Sequence, residues 1–251
     1  MSERYATPAQ VNARREALRA RVARLQADLA RASAPWGRPP TLLAVTKQQP
    51  AEVINLLEAA SITQIGENRV QDWREKSADL LPSFALHWLG RLQTNKVKYI
   101  IEQVCLIHSL DRPALAEEIG RCAQGVSRRI PVLVQVNIAG EAQKAGLPPD
   151  EVERFLRAYA AHPGLEISGL MAIMPQADDP ETLRPYFRAL RAMFDDLQGK
   201  AVPGVAMRHL SMGMSADCLV AAQEGATIVR VGTALFGAGA GHIPSLQEEK
   251  A

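Results

Sequence analysis

Several protein classes are excluded by what this sequence holds little of. Only three cysteines occur in 251 residues, Cys105, Cys122 and Cys218, and none lies near another. No CxxC pair or zinc-ligand spacing can be drawn from them, and the sparse, odd set fits a reducing compartment. Long apolar runs are missing, so no bilayer span is expected. The opening MSERYATPAQ leads into no apolar stretch, so no secretory signal is expected either. The early segment with Arg14, Arg15, Arg19, Arg21 and Arg24 also carries Glu3, Glu16 and Asp28, and reads as a structural helix rather than a transit peptide. Charge of one sign is lacking as well. The 29 basic and 27 acidic residues leave a net +2, which gives no reason to expect a nucleic acid or an anionic membrane as partner. A cytoplasmic location is the expectation that follows.

What remains is the composition of a soluble domain, 47% hydrophobic and 22% charged, long enough to bury a core without metals or disulfides. A single domain over 1–251 is expected, with a helix over about 7–33 and a loose tail after about 239. Thr7, Pro8 and Gln10 provide an N-cap, a first-turn proline and a capping box. Val11, Leu18, Val22, Leu25 and Leu29 follow at helical spacing. Short β-prone runs then recur near 41–46, 62–65, 84–89, 104–107, 130–136, 165–171, 206–210 and 226–231. Amphipathic stretches separate them at 50–60, 68–81, 92–102, 112–124, 149–161, 180–198 and 215–224. Strand–helix alternation implies a parallel sheet, and eight repeats imply an α/β fold closed as a (β/α)8 TIM barrel. The alternative is an open doubly wound sheet. It calls for a glycine-rich turn after the first strand, where this chain has Lys47-Gln48-Gln49-Pro50.

In a barrel, chemistry belongs at the C-terminal ends of the strands. Lys47 closes the first strand. In a dehydrated pocket its ammonium form would be disfavoured and its amine would become nucleophilic toward aldehydes; on the surface it would be an ordinary loop lysine. The loops after strands seven and eight, Ser211-Met212-Gly213-Met214-Ser215 and Gly232-Thr233, supply hydroxyls and open backbone amides suited to a phosphate, or else simply a loop and a helix cap. Arg230 lies inside an apolar strand on the face of Ile228, and burial obliges it to find either an acid or a ligand atom. Asn68, His87, Asn137 and Met171 are weaker strand-end residues, and a lone histidine such as His87 is usually a satisfied core group. A strand-one lysine, a phosphate cup and a buried arginine together suit a phosphorylated aldehyde, and pyridoxal 5′-phosphate (PLP) is one.

Eight ordered segments carry a resemblance to a known family: LLAVTK (42–47), IGENRVQ (65–71), HWLGRLQTNK (87–96), IHSLDR (107–112), VQVNIAGEAQKAG (134–146), SGLMAIMP (168–175), LSMGMS (210–215) and VRVGTALFG (229–237). The chain resembles the YggS family of PLP homeostasis proteins from about residue 7 to about 238. The resemblance implies a fold-type III PLP barrel similar to the N-terminal domain of alanine racemase. It implies a Schiff base on Lys47, Arg230 facing the pyridine nitrogen, Ser211, Gly232 and Thr233 on the phosphate, and Asn68 near the cofactor. An arginine on that nitrogen keeps it unprotonated and weakens the cofactor as an electron sink. Arg69, where the family often has tyrosine, and the Gln48-Gln49-Pro50 stretch depart from the pattern.

The same resemblance implies that racemases of this type take a second base from a C-terminal domain, and no such domain is expected here. The four tyrosines, Tyr5, Tyr99, Tyr159 and Tyr186, lie away from strand ends. The expected function is therefore reversible holding of PLP, with apo PLP-dependent enzymes as recipients and a monomeric state. The alternatives are a weak PLP-dependent racemase or transaminase, a Schiff-base aldolase on a phosphorylated sugar, and a pure interaction protein.

Overall fold

The computed structural model describes residues 7–141 and 143–237; the tail expected after about 239 lies outside them. Eight parallel strands close into one barrel in chain order, with β1 pairing with both β2 and β8. They are β1 (Thr41–Val45), β2 (Gln64–Glu67), β3 (Ala85–Trp88), β4 (Val104–Leu110), β5 (Ile130–Val136), β6 (Leu165–Ala172), β7 (His209–Ser211) and β8 (Ile228–Val231). The open-sheet alternative is thereby excluded.

Helix α1 (Pro8–Ala32) precedes the barrel and starts at the expected capping box, in which the Thr7 hydroxyl accepts from Gln10 N and Gln10 Oε1 accepts from Thr7 N. It buries Leu18, Val22 and Leu29, while Val11 and Leu25 are only partly covered. The outer helices are α2 (Ala51–Asn55), α3 (Val70–Lys76), α4 (Pro113–Gly125), α5 (Pro149–Tyr159), α6 (Arg184–Gly199), α7 (Cys218–Gln223) and the single turn α8 (Thr233–Phe236). The β3–β4 crossover differs from the expected α-helix over 92–102, since residues 94–99 form a 3-10 helix. Val97 and Ile100, three apart and fully buried, suit the three-residue repeat of that helix.

Strand alternation divides the core in two. Leu42, Ala44, Val132, Val134, Leu170, Ala172, Val229 and Val231 point outward into the large layer between sheet and helices. Leu43, Leu106, Leu133, Met171 and Ile228 point inward and fill the barrel. Two residues further toward the C-terminal mouth, the inward positions of β4 and β8 become His108 and Arg230. The interior thus changes from an apolar plug to a polar layer within one pleat, and the polar layer is where a site can form.

Candidate functional site at the barrel mouth

Thr46 ends the β1 ladder, its N–H donating to Gly66 O at 3.0 Å. The chain then turns, with Gln49 N–H donating to Thr46 O at 3.0 Å and Gln48 held at φ 62°, a left-handed conformation uncommon for glutamine. Lys47 sits in this turn. Leu43 is inside the barrel, which settles the inward parity of β1 up to its end at Val45. Of the two settings the sequence left open, the structure shows the exposed one: Lys47 stands two residues beyond the strand at the open mouth. It makes no hydrogen bond or ion pair with any described residue.

A buried ion pair clamps that turn. Lys76 Nζ lies 2.7 Å from Glu67 Oε1 and donates to Thr46 O at 2.9 Å and Gln49 O at 3.2 Å, so it grips both sides of Lys47. The Thr46 hydroxyl donates to the same Glu67 oxygen. Glu67 is fully enclosed and its Oε2 has no partner among the described residues. Sequence reading passed over Lys76. The available signal was its spacing three residues after buried Trp73, which places a lysine on the inner face of α3.

Arg230 is 5% exposed, yet no carboxylate among the described residues pairs with it. Its Nη1 donates to Ser211 Oγ at 2.8 Å and its Nη2 to Ala172 O at 2.9 Å. Burial lowers its pKa to about 10, with the nearby Asp217 carboxylate opposing the shift. The chain of contacts continues inward. Ser211 Oγ is 2.9 Å from His108 Nδ1, and His108 Nε2 is 2.9 Å from His87 Nδ1. Arginine can only donate, so Ser211 accepts from Arg230 and uses its own proton on His108 Nδ1. His108 then donates from Nε2 to His87. Burial pushes His108 well below the usual histidine range and His87 to about 4, so both are neutral at pH 7. His87 is therefore the satisfied core histidine that its strand position suggested, and one link of a four-residue spine. His108, unremarked in the sequence, is its centre.

This spine takes up the Ser211 hydroxyl. That hydroxyl is fully buried and engaged on both sides inside the barrel, away from the β8 turn. The other serine of the same loop stands at that turn. Ser215 Oγ accepts from Gly232 N at 3.2 Å and Ala234 N at 3.3 Å. Thr233 is exposed at the start of α8. A Cβ added to Gly232 would meet Val45 O at 3.4 Å, so the protein itself leaves room there and only a closer group would require glycine. Asn68, partly buried at the end of β2, turns an Oδ1 with no partner into the same end of the barrel. The six expected residues Lys47, Asn68, Ser211, Arg230, Gly232 and Thr233 thus all lie at the C-terminal mouth, with Ser211 set behind Arg230.

The comparisons with known proteins agree with this fold. Residues 15–240 match the family "Alanine racemase, N-terminal domain". A pyridoxal phosphate homeostasis protein of Aquifex aeolicus is 46% identical over 198 residues, covering 78% of this chain and 86% of that protein. The protein of the same name from Pseudomonas aeruginosa is 36% identical over 222 residues, covering 86% and 94%. Among solved structures, PipY of Synechococcus elongatus with PLP bound superposes with a TM-score of 0.78 at 36% identity, covering 88% of this chain and all of PipY. Alanine racemase of Corynebacterium glutamicum shares the fold, with a TM-score of 0.69 at 16% identity over 92% of this chain and 62% of the racemase. The chain therefore belongs to the family of pyridoxal phosphate homeostasis proteins, built on the alanine racemase N-terminal barrel.

Proposed function

We propose that this protein holds PLP reversibly at the barrel mouth and takes part in keeping the free cofactor in balance. The carrying observation is the constellation itself: an unpaired Lys47 on a clamped turn, a cationic Arg230 at the centre of the mouth, and the Gly232 and Ala234 amides converging on one hydroxyl oxygen. Converging amides with space beside Gly232 form an anion cradle, and Asn68 Oδ1 is a buried acceptor lacking a donor. These features fit a phosphorylated aldehyde with a ring nitrogen.

In that reading Lys47 is the covalent anchor, Gly232, Thr233 and Ser215 receive the phosphate, Arg230 faces the ring nitrogen and Asn68 borders the ring. Ser211 acts through Arg230 by fixing its guanidinium. When bound, PLP supplies an aldehyde that amines capture and a ring that withdraws electrons. This chain's residues weaken the second property, because a guanidinium cannot hand a proton to the ring nitrogen as an acid would. The exposed Lys47 favours exchange with solution over water-excluded chemistry. Holding and release to apo PLP-dependent enzymes follows better than robust catalysis. A weak racemase or transaminase activity is the second reading. We place the protein in the cytoplasm as a monomer; among the described residues no helix is long and apolar enough to cross a membrane.

The test is the visible absorption spectrum of the purified chain with added PLP, followed by borohydride reduction and peptide mapping, alongside Lys47→Ala. A visible band and a reduced adduct on the Lys47 peptide, both lost in the variant, support the reading. A chain that shows no band after PLP is added would sink it. Amino-acid turnover that disappears in Lys47→Ala would favour the second reading.

A further inference from the structure

On the β2–β4 side of the mouth lies a cavity of about 690 Å3; it shares Asn68 with the proposed cofactor site, and its other lining residues lie outside that site. The segments following β2, β3 and β4 wall it, and most of the cationic residues they carry, in the motifs IGENRVQ, HWLGRLQTNK and IHSLDR and in α3, have no part in the cradle or the spine. Arg69, Arg74, Arg91, Lys96 and Arg112 line it, and no carboxylate does. Asp111, outside the lining, pairs with Arg112 and lies 3.7 Å from Arg91 Nε. Arg69, Arg74 and Lys96 have no carboxylate partner among the described residues.

Two of these cations are gathered rather than scattered. Arg74 and Lys96 sit over the Tyr99 ring at 5.0 and 5.6 Å from its centroid, with Lys98 at 5.1 Å. The negative face of the ring holds like charges close that would otherwise spread apart. A second observation points to a ligand. Trp88 lines the same cavity, is 1% exposed, and its indole N–H has no acceptor among the described residues. A buried donor without an acceptor costs about 1–3 kcal/mol, which an oxygen bound in the cavity would recover.

We propose that this cavity is a second binding site, taking a small molecule that carries a chain of two or more phosphates. A monoanion would leave most of the charge uncompensated. Guanidinium forks match phosphate oxygens two at a time, and Lys96 adds a point charge. Volume and shape favour a small molecule over a polymer, since ligand pockets run from about 300 to 1,000 Å3. The overall charge of only +2 lacks the basic face of a nucleic-acid binder. Arg69 and Arg74 form one wall, Lys96 the other, and Trp88 donates from between them.

The test is calorimetric titration of the full chain with sodium tripolyphosphate, with inorganic phosphate as the control. The expected result is saturable one-to-one binding at least about tenfold tighter than phosphate, weakened about tenfold or more by Arg74→Gln with Lys96→Gln. Trp88→Phe should weaken it about threefold or more, an effect that diffuse attraction to surface charge would not produce. Lys47→Ala should bind tripolyphosphate like the parent, which separates this site from the cradle and from the cofactor reading. PLP binding should persist in the Arg74→Gln, Lys96→Gln variant. No saturable binding, equal binding by parent and double variant, or loss in Lys47→Ala would each overturn the assignment. A single-stranded RNA oligonucleotide that displaces tripolyphosphate at equal charge concentration would overturn the small-molecule class.

Discussion

On the β7–β8 side of the barrel mouth a single arginine is enclosed and satisfied by neutral oxygens. On the β2–β4 side five cationic side chains stand around an open cavity, three of them without a carboxylate. The two sides use positive charge in different ways. Arg230 is fixed by Ser211 and Ala172, so its direction is specified and water does not screen it. Arg69, Arg74 and Lys96 keep their hydration, so their collective field matters more than any one geometry. A buried charge positions; a solvated cluster attracts. Between the two sides, the Lys76–Glu67 pair determines where Lys47 stands.

That contrast can be broken at several points, and the largest effect belongs to the clamp. Lys76→Met leaves Glu67 charged, enclosed and unpaired, and should cost about 3–5 kcal/mol in urea unfolding. Adding Glu67→Gln should recover most of the loss; no recovery would show that Lys76 matters for packing rather than charge.

The histidine spine gives the next effect. His87 has its pKa lowered to about 4 in the folded protein against an ordinary 6.5, and His108 moves in the same direction. The unfolded chain then binds more protons between those values, so stability is full above about pH 6.5 and falls as the pH drops toward 4. A shift of the His87 size corresponds to at most about 3–4 kcal/mol. Denaturation midpoints measured across that range should fall with acid, and His87→Asn should flatten the slope. An unchanged slope in the variant would remove the spine from the explanation.

Arg230→Met should cost about 1–3 kcal/mol, since Ser211 and Ala172 O lose their buried donor. It should also weaken PLP binding, read by the visible spectrum. Gly232→Ala tests the cradle with less disturbance. Its Cβ meets nothing closer than 3.4 Å, so stability should change by under about 1 kcal/mol while PLP affinity falls about tenfold. Smallest of all, Arg74→Gln should leave stability within about 0.5 kcal/mol of the parent, because its charge is solvated.

Much of the fold was readable from local rules. Strand starts and ends fall within a few residues of the apolar runs, because β-prone segments bounded by Pro, Gly, Asp and Ser leave few other registers. The misses follow a pattern. Glu67 and His108 were placed at or past strand ends, but β2 and β4 run through them, since ladder pairing with neighbours extends strands beyond their apolar stretch. The 94–99 segment carries helical periodicity, yet its short span between two strands and its buried Val97 and Ile100 select the tighter 3-10 form. Ser211 and Ser215, four residues apart in one loop, could not be told apart by spacing. Their hydroxyls are divided only by which strand they meet, Arg230 in one case and the Gly232 turn in the other.

By itself the sequence determined the eightfold strand–helix alternation, the capped first helix and the strand-end residues that gather at one face. Periodicity and capping act over a few residues and leave their mark in the chain. The tertiary structure alone decided which faces turn inward, that Lys47 stands in solvent, that Lys76 grips its turn, and that His87, His108, Ser211 and Arg230 join. Those facts depend on contacts between residues 19 to 103 positions apart, and they came into being only when the barrel closed.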